Sequence, residues 1–417
     1  MDTLALWIQK FINRYRRSDA PLIIGYSGGP DSTALVRLLL AAGIKNFHLA
    51  HFDHGWREES ASEAELLEKK ANQWKVPFSS ERGEARTYQE NEAREARFAF
   101  FERLYNKLGA SALILAHQKE DLAETVLKRV FEGAHLTSIH GMGPVSEWRG
   151  MELWRPLLKT PKRELKRYLE LEGEDWIEDP TNEDPRYLRG RMRGGLMADL
   201  SATFGKEINE PLTRLSERSL ELEAYLERRA AFVQEVVGPF GTFWELPKER
   251  VEARYLLRRI LKKRGLIWTH NELEKALSLI DENAANRKLA HTFFVDRGLL
   301  FSIEFSRDDV EIETTLSKSP PPYHSDWRSA WQGRAWLGLK EKHYTLSSPE
   351  EPSFSKWWGN HKVPVCVRSL FPVVSQEGKE TLEFLSGKNR GAGCTFPIYL
   401  QLKVKTRRPI SRSAGMA

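Results

Sequence analysis

Over roughly the first 130 residues, short apolar runs of β type alternate with longer stretches whose apolar positions recur every three or four residues. Residues 22–26, 47–52 and 112–117 read as strands, and 31–42, 60–74 and 91–108 read as the helices between them. A helix over 120–131 follows, then a glycine-rich turn at Gly133, Gly141 and Gly143, and a strand over 152–158. Pro161 opens the next helix at its first turn, where a missing N–H costs nothing. The alternation predicts an α/β domain, a parallel sheet with helices on both faces. Ahead of it, Leu4, Trp7, Ile8, Phe11 and Ile12 share one face of an amphipathic helix.

Past about Arg193 the alternation stops. Residues 209–237 read as one long charged amphipathic helix, broken at Gly238, Pro239 and Gly241. Helical spacing returns over 252–264 and 271–282, and strand-like runs occupy 292–295 and 299–303. Residues 317–322, with three consecutive prolines, read as a linker before Trp-rich, β-rich sequence. The expected division is an α/β domain over 1–205, a mainly helical domain over 206–316 and a small α/β domain over 323–417.

Composition narrows the class. Hydrophobic residues make up 41% of the 417, enough for packed interiors and too many for a disordered chain. The longest strongly apolar stretch, 38–44, falls far short of the roughly 20 residues that cross a membrane, so no membrane partner is expected. Two cysteines, Cys366 and Cys394, build neither a disulfide framework nor a paired metal or redox spacing, which suits a reducing, cytoplasmic setting. The net charge of +6 is modest, but it is clustered. Arg186, Arg189, Arg191 and Arg193 form one run; Arg254, Arg258, Arg259, Lys262, Lys263 and Arg264 a second; Lys403, Lys405, Arg407, Arg408 and Arg412 a third. Each run is either a solvated face or a contact for a polyanion such as nucleic acid. A homodimer is left open as the assembly.

The most informative stretch is a hydrophobic strand running into Ser27-Gly28-Gly29-Pro30-Asp31-Ser32 and then a helix. Two adjacent glycines let the backbone bring N–H groups close to a ligand, Ser27 and Ser32 add hydroxyls, and the helix start adds a positive end. Such a loop suits a phosphate. No GK[ST] follows, so it is not a Walker A loop, and no GxGxxG is present. Further along, Arg94 and Arg97 lie three apart on a helix and share a face, either gripping phosphate or carboxylate or forming a solvated stripe. Asp121 and Glu124 are likewise three apart at a helix start, either a convergent carboxylate pair or acids favouring the helix dipole.

The string from Ser27 to Ser32 resembles the PP-loop signature SGGxDS of the ATP pyrophosphatases, which split ATP to AMP and pyrophosphate while adenylating a carbonyl oxygen. Four further segments resemble one family within that superfamily, the tRNA(Ile)-lysidine synthetases. They are His51-Phe52-Asp53-His54-Gly55-Trp56-Arg57, the Glu92-Ala93-Arg94 to Phe98 element, the segment from Ala116 to Thr125, and the stretch from Trp176 to Arg193. The sequence departs from the family pattern at Gln118, Glu120, Leu122 and Gly190. Near the C-terminus, residues 362–368 and 385–387 resemble the family's last module.

The resemblance implies an adenine nucleotide alpha hydrolase-like fold and a ligase forming a carbon–nitrogen bond. ATP would bind at Ser27, Gly28, Gly29, Pro30, Asp31 and Ser32, with Asp31 also placing Mg²⁺. Asp121 and Glu124 would bind free lysine, and His117 would orient substrate or take a proton from the attacking amine. Asp31, His117, Asp121 and Glu124 are thus the catalytic candidates, while Arg94, Arg97, Arg189, Arg193, Lys362 and Arg368 are candidates for contacts to tRNA or phosphate. The implied partners are isoleucine tRNA, ATP and lysine. The alternatives are a tRNA sulfur transferase and a non-catalytic tRNA-binding protein with a decayed nucleotide site.

Overall fold

The computed structural model describes residues 3–55, 60–83, 90–178, 188–349, 354–376, 381–387 and 396–407. Two compact units form, Met1–Ala224 and Tyr225–Met416. In the first, the chain runs α1 (Thr3–Tyr15), β1 (Leu22–Gly25), α2 (Pro30–Ala41), β2 (Phe47–Asp53), α3 (Ser60–Gln73), β3 (Phe78–Arg82), α4 (Glu90–Leu108), β4 (Ala112–Ile114) and α5 (Lys119–Phe131). A hairpin of β5 (Val145–Trp148) and β6 (Met151–Trp154) precedes α6 (Lys162–Glu172), α7 (Leu188–Arg191) and α8 (Met197–Phe204), with one π-helical turn, Met192–Leu196, between the last two. The long α9 (Asn209–Ala231) contains the division between the units.

The sheet has the order β3-β2-β1-β4-β6-β5, with only β5 antiparallel. Alternate residues of each strand point to opposite faces, and the cores obey that period. Leu22, Ile24, Phe47, Leu49, Ala112 and Ile114 pack with α1, α2, α3 and α6 on one side. Ile23, Ala50, Leu113 and Leu115 pack on the other against Phe98, Phe101 and Leu104 of α4. From β1 the chain steps to β2 and β3 on one side and then returns to β4 on the other, so the order reverses between β1 and β4. Open sheets of this kind bind ligands at the carboxyl ends of the strands flanking such a reversal.

The second unit begins with a hairpin of β7 (Glu235–Gly238) and β8 (Gly241–Glu245), where the sequence pattern predicts a continuing helix. The helix stops at Ala231, and the chain then pairs as a hairpin that turns between Gly238 and Gly241. A Cβ on Gly238 would stand 1.9 Å from the Trp331 carbonyl oxygen. The elements α10 (Arg250–Lys263) and α11 (His270–Asp281) cover one face of a five-stranded antiparallel sheet, β7-β8-β11-β10-β9, whose remaining strands are β9 (Arg287–Lys288), β10 (Phe293–Asp296) and β11 (Leu299–Ile303). Beyond it, β12 (Val310–Ser317) pairs along its whole length with residues 399–406, so the proline-rich segment 317–322 is spanned by a shared sheet. The core on that side centres on Trp331, fully buried, whose indole N–H donates to the Val236 carbonyl at 3.1 Å.

Trp331→Ala should therefore lower stability by about 3–5 kcal/mol, read as a fall in the urea midpoint; a loss below about 1 kcal/mol would contradict this packing.

Candidate active site

The loop after β1 lies at the centre of the sheet's carboxyl edge. Tyr26 N donates to the Ala50 carbonyl at 2.8 Å, and Gly28 then turns the chain with φ +78°. The Gly28 carbonyl accepts from Ile177 N at 2.9 Å and Thr33 Oγ1 at 3.2 Å, while a Cβ there would stand 2.6 Å from Leu67 Cδ2. Glycine is required by both conformation and space. Ser32 Oγ closes the loop: it accepts from Ser27 N at 3.3 Å, lies 3.1 Å from Ser27 Oγ and donates to the Gly29 carbonyl at 3.1 Å. Gly29 caps α2 without a side chain, and Pro30 follows in the first turn, so no side-chain cap occupies the helix start, which suits an anion.

Asp31, in that first turn, is pushed up to about 6, chiefly by burial and then by the nearby Asp121 carboxylate; its Oδ1 is buried and has no hydrogen-bond partner. Asp121 and Glu124 come to it from α5. Sequence places them there through a capping box: Gln118 Oε1 accepts from Glu120 N at 2.6 Å, and Asp121 Oδ2 accepts from Gln118 N at 3.1 Å. Arg193, in the π-helical turn, bridges the pair, donating from Nη2 to Asp121 Oδ1 at 2.5 Å and from Nε to Glu124 Oε1 at 2.7 Å. Burial raises the Glu124 carboxyl against the pull of Arg193, and its Oε2 has no hydrogen-bond partner. Burial opposes the charge on Arg193, but the bond and charge of Glu124, then Asp121 and Asp31, outweigh it and raise its pKa.

Across β4 a second group is rich in cations. His117 sits well below the usual histidine range because it is enclosed and because Arg155, Arg97, Arg189 and Arg94 surround it. Its Nδ1 has no hydrogen-bond partner. Arg97 is drawn down to about 10 by burial and by Arg94 and Arg189, with its Nε buried and without a partner. Arg94 lies over the rings of Phe98 and Trp148 at 5.3 and 5.8 Å. Arg155, only 6% exposed, is likewise drawn down to about 10 and donates from Nη1 to the Gly143 carbonyl and Ser146 Oγ. The arrangement sets several cations around an imidazole that is held neutral.

The structure thus gathers Asp31, Asp121, Glu124 and Arg193 on one side and His117, Arg94, Arg97 and Arg189 on the other. Arg193, expected to face tRNA or phosphate, is instead bonded to the two carboxylates. Arg155 escapes the motif reading; its one signal is a charge directly after β6, at the sheet's carboxyl edge. The departures from the family pattern are accommodated. Gln118 serves as the helix cap, Glu120 Oε2 accepts from Lys162 N at 3.0 Å and so caps α6, and Leu122 packs with Val126, Ile139 and Leu158. Gly190 is buried in α7.

His51 Nδ1 pairs with the Tyr26 carbonyl, and Asp53 Oδ1 accepts from Gly55 N, so these two brace the loops. Lys362 and Arg368 belong to the second unit. Arg368 donates from Nε and Nη2 to the Val363 carbonyl, and Lys362 is exposed. Cys366 is pushed up to about 12 by burial and by Asp296, far from the thiolate that sulfur chemistry wants. Cys394, Trp56, Arg57, Arg186, Arg408 and Arg412 lie outside the described residues.

Fold and loop together define a PP-loop protein: the PP-loop domain family matches residues 2–200. The tRNA(Ile)-lysidine synthase of Protochlamydia amoebophila (strain UWE25) is 32% identical over 425 residues, covering 92% of this chain and 93% of that protein. The chain belongs to the tRNA(Ile)-lysidine synthase family. The enzyme of the same name from Chlamydia pneumoniae is 44% identical over 214 residues, covering 50% of this chain and 66% of that protein. Among solved structures, the U34-tRNA thiolase NcsA from Methanococcus maripaludis superposes with a TM-score of 0.42 at 16% identity, over 52% of this chain and 80% of that one.

Asp31 carries a testable cost. Its carboxyl sits at about 6 in the folded chain and at about 3.9 when unfolded. The folded state keeps a proton that the unfolded state has lost, so stability falls as pH rises through that window and stays low above it. Without nucleotide or magnesium, Asp31→Asn should melt higher than the unmodified chain near neutral pH, with the gap closing as pH is lowered toward about 4. A pH-independent gap would contradict the assignment.

Proposed function

We propose that the chain is a ligase that uses ATP to join free lysine to C2 of the wobble cytidine of isoleucine tRNA. The observation that carries the proposal is the meeting, across the β1–β4 reversal, of the Ser27–Ser32 loop with the carboxylates of Asp31, Asp121 and Glu124. The loop N–H groups and the hydroxyls of Ser27 and Ser32 take the ATP phosphates. The C2 carbonyl oxygen of the cytidine attacks the α-phosphorus, and pyrophosphate leaves. That oxygen, now bonded to AMP, is a good leaving group. The lysine ε-amine attacks C2, AMP departs with the oxygen, and the amine loses its extra proton, for which His117, held neutral, is the proposed acceptor. Positioning and charge stabilisation carry the catalysis, and no protein nucleophile is needed.

Asp31 fits a divalent cation, since its buried Oδ1 is unpartnered beside other carboxylates. Among the described residues no three potential ligands form a closed cage. A Mg²⁺ at Asp31 would therefore be completed by phosphate oxygens and water, and it would neutralise phosphate charge. Asp121 and Glu124 are the proposed seat of the cationic groups of lysine, with Arg193 holding their place until lysine arrives. A neutral amino acid would bring no charge to take up the carboxylates in place of Arg193 and would be rejected.

The proposed tRNA or phosphate contacts are Arg94, Arg97 and Arg189 around His117 and Lys362 in the second unit, with Arg368 bracing the turn that presents Lys362. In the basic run of α10, Arg254, Arg259 and Arg264 are engaged by Glu274, Glu227 and Glu304, whereas Arg258 and Lys262 are exposed. Phosphate contacts give affinity and register, and the wobble base placed in the site gives specificity. Among the described residues no helix is long and apolar enough to cross a membrane, and a cytoplasmic location is proposed.

The direct test is mass spectrometry of isoleucine tRNA after incubation with the protein, ATP, Mg²⁺ and isotope-labelled lysine: label on the wobble cytidine supports the proposal, and unlabelled tRNA despite ATP binding contradicts it. Glu124→Ala should raise the lysine KM about 10- to 100-fold, the loss of one charged hydrogen-bonding partner, with ATP affinity largely kept.

A further inference from the structure

A cleft of about 430 Å³ lies between α1, α9 and the segment after β6, entirely within the first unit. None of the chemistry above uses it. Its α1 wall follows helical spacing, with Trp7 and Phe11 on the apolar stripe and Lys10 and Arg14 beside them. Leu122 and Leu158 contribute apolar surface. The Trp7 indole, 42% exposed, is held by its N–H donating to the Pro156 carbonyl at 2.8 Å.

Two charge features decide what such a cleft takes. Lys10 and Arg14 are exposed and have no carboxylate partner among the described residues, whereas Lys159 of the same cleft is neutralised by Glu217. Arg155 also lines the cleft, and its Nε is buried without a hydrogen-bond partner. A purely hydrocarbon ligand would leave the two cations idle. A nucleobase brings a flat face for an aromatic wall, and its flanking phosphates bring the missing negative charge.

We propose that this cleft holds one nucleotide of the tRNA, unstacked from its neighbours, with its base against Trp7 and Arg155 and its phosphates on Lys10 and Arg14. The inference rests on the tRNA-ligase reading and adds to it a second, non-reacting nucleotide subsite.

The test uses the full chain with isoleucine tRNA and with a series of the same tRNA carrying one abasic nucleotide at each anticodon-arm position. Trp7→Ala should raise the tRNA KM by about 5- to 100-fold, the range of one lost base stack, with the ATP KM unmoved. Lys10→Glu with Arg14→Glu, both on the surface, should raise it too and make binding less sensitive to salt. One abasic position should reproduce the Trp7→Ala effect and add nothing to it in combination. The fluorescent amphipathic anion anilinonaphthalene sulfonate should bind the free protein at this cleft and be expelled by tRNA, a readout that needs no turnover. An unchanged tRNA KM in both variants, strict additivity at every abasic position, or probe retained at saturating tRNA would overturn the proposal, the last by assigning the cleft to a small amphipathic anion. If the unmodified chain makes no lysidine yet tRNA still expels the probe, the ligase reading fails and the subsite stands.

Discussion

Two carboxylates, Asp121 and Glu124, are taken largely out of water at the start of one helix, and a single guanidinium answers for both. Buried charges of one sign are tolerated only when paired, and each unpaired one costs several kcal/mol. Arg193 meets that demand with two charge-assisted bonds, and in doing so it draws the π-helical turn Met192–Leu196 against α5. The third carboxyl, Asp31, has no such partner and keeps its proton to about 6 instead. Three carboxyls thus share one bonded guanidinium, a shortage of positive charge that suits the divalent cation and the cationic amino acid proposed to bind there. Around His117 the imbalance is reversed, since Arg97 and Arg155 are desolvated and have no carboxylate bonded to them among the described residues.

This separation of charge follows from the topology. The chain leaves β1 for β2 and β3, then returns to β4, so the phosphate loop and the α5 carboxylates reach the same edge from opposite sides of one seam. Gly28, locked between Leu67 and Ile177, fixes the loop, and the Gln118 cap fixes the first turn of α5. Neither depends on substrate, so much of the positioning precedes binding.

Much of this was legible in the sequence where local pattern and local structure coincide. The Ser27–Ser32 string, the strands around it and the three-residue spacing of Asp121 and Glu124 all express themselves within one or two turns of backbone. What was not legible depends on long-range partners. Arg193 looked like one more member of a basic run, and only its meeting with residues some seventy positions earlier shows that its charge is spent inside the protein. Arg155 carries no motif, and its place is set by where β6 ends. The helix expected to run to residue 237 ends at Ala231 because Val236 is held by Trp331, almost a hundred residues later. Glu120 reads as a substitution in the α5 motif, yet it caps another helix.

The claim beneath these assignments is chemical: the wobble cytidine's own oxygen captures the adenylate and leaves with it. It is tested most directly by preparing isoleucine tRNA with heavy oxygen at the C2 position of that cytidine and weighing the AMP formed in a complete reaction. AMP carrying the heavy oxygen, in step with lysine joined to the base, is the predicted result. AMP of ordinary mass, with the label still in the RNA or lost to water, would contradict it.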